Sequence, residues 1–147
     1  MPDALVLAIG NPLRRDDGAA AAAVDGLGDD RGVAVVVRHQ LAPELADAVA
    51  AARMVAIVDA RQGGAPGSIA WRELRAADAA PPALAHALSP EALLALAAAL
   101  HGARPPAWLV TVAGADFSFG EGLSPPVERA LPELRARVAA LLRFHCS

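Results

Sequence analysis

Ala4-Leu5-Val6-Leu7-Ala8-Ile9-Gly10-Asn11-Pro12-Leu13-Arg14-Arg15-Asp16-Asp17-Gly18 is the stretch whose reading decides the fold. Its first six residues are apolar without a break, the pattern of a strand buried on both faces. Gly10-Asn11-Pro12 stops the run with turn residues. Asp16-Asp17-Gly18 then precedes an Ala/Val stretch that reads as a helix to about Leu27, ended by Gly26 and Gly28. An Asp ahead of a helix commonly caps its free N–H groups. Strand, loop and helix in that order form the first half of a βαβ unit.

The same alternation continues outward. Val33 to Val37 reads as a second buried strand, and Pro43-Glu44-Leu45 opens a helix with Leu45, Val49 and Ala52 on its inner face. Met54 to Val58 reads as a third buried strand ending at Asp59, and Ser68 to Leu74 as a further strand after a loop. An irregular Ala/Pro stretch leads to Ser89-Pro90-Glu91, which combines an N-cap, Pro at the first helical position and an acid in the first turn. Leu93, Leu96 and Leu100 then repeat at helical spacing. Trp108 to Val112 is another buried strand, and Ser124-Pro125 starts a last helix carrying Val127, Leu131, Leu134, Val138 and Leu141. Pro132 inside that stripe is expected to kink or split it. Strands alternating with helices predict an α/β three-layer sandwich: a mostly parallel sheet of about five strands, flanked by helices on both faces. The 147 residues suit a single domain, 1–147.

Composition narrows the chemistry. All 13 cations are arginine, which removes Walker-A phosphate binding, Schiff-base chemistry and Ser-Lys dyads. The single cysteine, Cys146, precludes an internal disulfide and a thiolate metal site. There is no G-x-S-x-G elbow. The net charge of −3 argues against nucleic acid as a partner. The hydrophobic fraction of 55% leans on alanine, and no run is long and bulky enough to suggest a membrane span. Asp3 sits where the positive region of a signal peptide would be, so the expected location is cytoplasmic.

In open α/β sheets, ligands bind beyond the carboxyl ends of the strands. Asn11 with Asp16-Asp17, Asp59 and Gly114-Ala115-Asp116 all fall at that edge, and His86 precedes a helix that should start there. Two carboxylates and one imidazole converging would suit a divalent cation with open positions. Each residue also has a plainer reading: a helix cap for either Asp of the pair, a turn-stabilising strand end for Asp59, a solvated loop for His86. His39 and His101 read as solvated loop histidines, and His145 as a tail residue. Gly10-Asn11-Pro12 resembles a phosphate-binding turn but lacks the second and third glycines of the dinucleotide fingerprint.

The segment Gly10-Asn11-Pro12-Leu13-Arg14-Arg15-Asp16-Asp17-Gly18 directly after an N-terminal strand resembles the opening motif of the hydrogenase maturation protease family. His39-Gln40-Leu41-Ala42-Pro43-Glu44-Leu45 is similar to a segment of one branch of that family. Val58-Asp59-Ala60 with Gly64-Ala65-Pro66-Gly67 resembles its second motif, His86-Ala87-Leu88-Ser89-Pro90 its third, and Phe117 through Gly120-Glu121-Gly122-Leu123-Ser124-Pro125 its final helix start. These motifs occur in order over nearly the whole chain. The resemblance departs at Ala19-Ala20-Ala21, where a Val-Gly pair is more usual, and at Ala83-Leu84-Ala85, where small hydroxyl residues are expected. Glu91 competes with His86 if that loop is shifted.

The resemblance implies an endopeptidase, aspartyl-type or metal-dependent, that removes a C-terminal extension from the immature large subunit of a nickel–iron hydrogenase. It implies Asp17, Asp59 and His86 as the catalytic and metal-contacting residues. The nickel would arrive with the large-subunit precursor, Zn or Cd could substitute in a crystal, and no organic cofactor is implied. Two other functions fit the residues: a metal-sensing or chaperone-like module for the nickel-loaded subunit, and a small-anion-binding α/β domain using Asn11 and the first helix. Neither the oligomeric state nor the hydrogenase served is written in the sequence.

Overall fold

The computed structural model describes residues 3–29, 32–76 and 88–146. Five strands, β1 (Ala4–Ile9), β2 (Val33–Arg38), β3 (Met54–Arg61), β4 (Ile69–Leu74) and β5 (Ala107–Ala113), form one sheet in the order β2-β1-β3-β5-β4. All pairings are parallel except β4 with β5. Four α-helices among the described residues accompany them: α1 (Ala19–Val24), α2 (Ala46–Ala51), α3 (Pro90–His101) and α4 (Pro125–Cys146). The α/β sandwich expected from the sequence is the architecture observed.

Each face of the sheet has its own core. Val6, Ala8, Ala56, Val58, Val110 and Val112 pack under α1 and α4. Leu5, Leu7, Val55, Ile57 and Ala107 pack under α2 and α3. Strands covered on both sides must be apolar at every position, which is why β1 is buried throughout. No helix among the described residues is long and apolar enough to cross a membrane.

Several boundaries differ from those expected. Residues Arg15–Gly18 form a 3-10 turn, and α1 stops at Val24 rather than near Leu27, because Asp25 is extended and Gly26 takes a positive φ. β2 is half-buried and then exposed, not buried on both faces, because it lies at the sheet edge. β3 continues two residues past Asp59, pairing Asp59 with Thr111 and Arg61 with Ala113. Ser89 caps α3 as expected, accepting the Ala92 N–H at 3.1 Å. Inward packing in α3 follows Leu93 and Ala97, which leaves Leu100 63% exposed. Pro132 does not split α4, which is continuous over 22 residues. The backbone bond that proline cannot make costs about 3 kcal/mol. Val127, Leu134 and Val138, all fully buried on either side of it, offset more than that at about 1.5–3 kcal/mol each.

The strand order reverses next to β1. The chain leaves β1 for the edge strand β2, then steps back across β1 to β3. Such a reversal opens a crevice at the carboxyl ends of the two inner strands. The loop after β1 and the end of β3 meet there.

Candidate active site

Gly10 ends β1 with φ near +141°, and a Cβ at this position would fall 1.7 Å from the Asp17 carbonyl oxygen. Only glycine lets the loop after β1 fold back so closely. Asn11 continues the turn: its side-chain oxygen accepts the Leu13 N–H at 2.9 Å, and its own N–H donates to Asp17 Oδ2 at 2.7 Å.

The two adjacent aspartates diverge. Asp16 is fully buried and points toward the β5–α4 connection. It accepts the N–H groups of Ala115 at 2.7 Å, Asp116 at 3.0 Å and Ser124 at 2.7 Å, together with the Ser124 hydroxyl at 2.7 Å. Burial opposes its ionisation, but these donors outweigh burial and hold its carboxyl below the usual range. Neither aspartate caps α1; Gly18 takes the cap position without a side-chain bond. Asp17 turns to the other face of the sheet.

There, a cavity of about 220 Å³ is lined by Asp17, Asp59, Ile57, His39, Gln40, Leu41, Leu88 and Pro90 among others. Asp59 reaches it from the α2/α3 face of β3, where it follows Val55 and Ile57 at alternate positions. Burial pushes the Asp59 carboxyl up from 3.8 to about 7; the Ala60 N–H bond opposes this, and the charge of Asp17 adds to it. The charge that Asp17 sets against Asp59 would be relieved by a cation. Among the described residues, no three His, Cys, Asp or Glu side chains gather closely enough to hold a metal ion. A larger cavity, about 470 Å³, lies at the other end of the strands beside Leu74 and Pro106, away from the aspartates.

His86 lies outside the described residues. Its competitor Glu91 is not among the cavity-lining residues and pairs with Arg72 at 3.3 Å. His101 also lies elsewhere, 2.7 Å from Asp47. His39 is an exposed loop residue, as expected, and it also lines the cavity. The signal that could have placed it is positional: it directly follows a strand paired in register with β1, so it leaves the sheet level with Gly10.

The first loop is not built to bind an anion. The N–H groups of Asn11, Leu13, Arg14, Arg15, Asp16 and Asp17 donate to Asp17, Asn11, Asn11, Gly120, Asp116 and Arg14 respectively. No fan of free amides remains for a phosphate.

Solved structures similar to the chain include three hydrogenase maturation proteases. HybD, the hydrogenase maturating endopeptidase from Escherichia coli, is 26% identical and superposes with a TM-score of 0.75, covering 98% of this chain and 93% of that one. The chain shares the fold of the hydrogenase maturation proteases. The [NiFe] hydrogenase maturation protease HybD from Thermococcus kodakarensis is 22% identical with a TM-score of 0.70, covering 96% of this chain and 99% of that one. The hydrogenase 2 maturation peptidase from a Thaumarchaeota archaeon is 23% identical with a TM-score of 0.69, covering 95% of this chain and 97% of that one. No family sequence profile and no curated protein sequence matches the chain. The glycine-asparagine turn and the two cleft aspartates sit within that fold.

Proposed function

We propose that this protein is the endopeptidase of a hydrogenase maturation system, removing a C-terminal extension from the immature large subunit of a nickel–iron hydrogenase. The observation that carries the reading is the shared cavity of Asp17 and Asp59, within a fold that matches a maturating endopeptidase over 98% of the chain. Asp59 exchanges its proton near neutral pH, which suits a group that takes a proton from water or returns one to a leaving amine. Asp17 is oriented by the Asn11 N–H and presents its carboxylate to the same space.

Nickel enters as part of the substrate. Asp17 and Asp59 supply hard oxygen ligands, and His86, by the family resemblance, supplies the nitrogen ligand. The set has no thiolate, so Ni, Zn or Cd is expected to bind the isolated protein weakly and to be held well only with further ligands from the precursor. Recognition of the loaded state then follows from the chemistry of the donor set.

The test is incubation with an unprocessed nickel-loaded large subunit, with the nickel-free subunit alongside, followed by intact-mass measurement. Loss of the C-terminal peptide from the loaded subunit alone is the expected result. A stable complex without a mass change would instead support the metal-sensing or chaperone-like role.

A further inference from the structure

We propose that His39 is a substrate-contacting residue of the cleft, donating a ring N–H to the carbonyl oxygen of the peptide bond that lies between Asp17 and Asp59. The inference rests on the proteolytic reading above and names one more residue of the same site.

Three observations carry it. The first is position: His39 lines the same 220 Å³ cavity as the two aspartates. It reaches that wall because β1 and β2 run parallel with Ile9 opposite Arg38, and the Gly10 N–H donates to the Arg38 carbonyl at 3.0 Å. The second is rigidity. Leu41, two residues on, is buried, and its carbonyl accepts the Leu88 N–H at 3.3 Å. The short segment carrying His39 is thus pinned to the sheet at one end and to the α3 side of the cleft at the other.

The third is donor supply. A peptide carbonyl oxygen entering the cavity needs a donor, and a carboxyl group offers one only while it holds its proton. Three nearby backbone donors are engaged, Gly10 with Arg38, Asn11 with Asp17, and Ala60 with Asp59 at 2.8 Å, which leaves the side chains of His39 and Gln40 as the donor-bearing groups of this wall. An imidazole always carries at least one N–H. A pre-placed donor aimed at a carbonyl oxygen is the kind of group that strengthens its interaction as negative charge develops there. His39 is exposed on its outer side, so its replacement does not open a hole in the core.

The experiment uses the full chain and a nickel-loaded large-subunit precursor, with single-turnover cleavage followed by intact mass. Wild type, His39→Ala, His39→Gln and the distant control His101→Ala are compared, with thermal melts to show that each folds. His39→Ala is expected to slow cleavage by about 10²–10³-fold with little change in precursor affinity, the loss typical of removing one carbonyl donor. His39→Gln, which keeps an N–H donor, is expected to recover a substantial part of that rate, and His101→Ala to match wild type. A His39→Ala protein that folds and cleaves at the wild-type rate would overturn the proposal while leaving the protease reading intact. A rate loss with no recovery in His39→Gln would replace the hydrogen-bond role. If wild type itself does not cut the precursor, the protease reading fails and takes this inference with it.

Discussion

Asp16 and Asp17 are the same residue type, adjacent in the chain, and the structure treats them in opposite ways. On the α1/α4 face, Asp16 is sealed from solvent among three N–H groups and a hydroxyl, all from residues 115–124. On the α2/α3 face, Asp17 lines an open cavity with Asp59, whose ionisation the charge of Asp17 disfavours. One side of the loop is fully satisfied and joins it to the rest of the fold. The other is left electrostatically expensive. A carboxylate held by four hydrogen bonds holds structure, whereas a pair with unmet electrostatic demand is available for chemistry.

The sharpest way to break this contrast is to neutralise the open side. Asp59→Asn is expected to fold normally and to lower precursor cleavage by about 10³-fold or more, since it removes a group that exchanges a proton. Its stability is the second readout. A carboxyl raised from 3.8 to about 7 in the folded state loses stability as pH climbs between those values, because the unfolded chain releases its proton first. Above about pH 7 the folded protein carries the whole penalty. At about 1.36 kcal/mol per pKa unit the rise corresponds to roughly 4 kcal/mol, and solvent in the open cavity reduces that to about 2 kcal/mol. Asp59→Asn should therefore be more stable than wild type at pH 8 and indistinguishable from it at pH 4, as measured by urea melts at the two values. A variant that unfolds at pH 8 would mean that Asp59 is a structural cap.

The sealed side should respond with the opposite sign. Asp16→Ala leaves three backbone N–H groups and a hydroxyl without their acceptor, and each buried unsatisfied donor costs about 1–3 kcal/mol. An overall loss of about 3–5 kcal/mol is expected, seen as a fall in Tm of about 10 °C or more for a chain of this size. Wild type should also lose the Asp16 contribution as pH falls through its depressed value, so the acid limb of the stability profile belongs to Asp16 and the neutral limb to Asp59. Equal melting of Asp16→Ala and Asp17→Ala would erase the difference between the two sides of the loop.

The smallest effect isolates one bond. Ser124→Ala removes the hydroxyl donated to Asp16 at 2.7 Å but keeps the Ser124 N–H bond. About 1 kcal/mol of destabilisation is expected in chemical denaturation, with cleavage unchanged. A larger loss accompanied by lower activity would show that the sealed side also aims the cleft.

Most of the architecture is legible in the sequence. The apolar run of β1, the Ser89 cap of α3 and the stripe of α4 depend on neighbouring residues alone, so periodicity and capping chemistry expose them. Asp17 and Asp59 were legible as edge residues and, through the family resemblance, as a pair. Strand burial was less legible, because Val33 to Val37 is as apolar as β1 and differs only in having one neighbouring strand. What only the tertiary structure decided is which groups Asp16 binds and that His39 lines the cleft. The partners of Asp16 lie 99 to 108 residues away, and His39 is delivered by pairing between separate strands. Local sequence sets what each segment can become. Which side chains meet depends on long-range register and on which face of the sheet each one leaves.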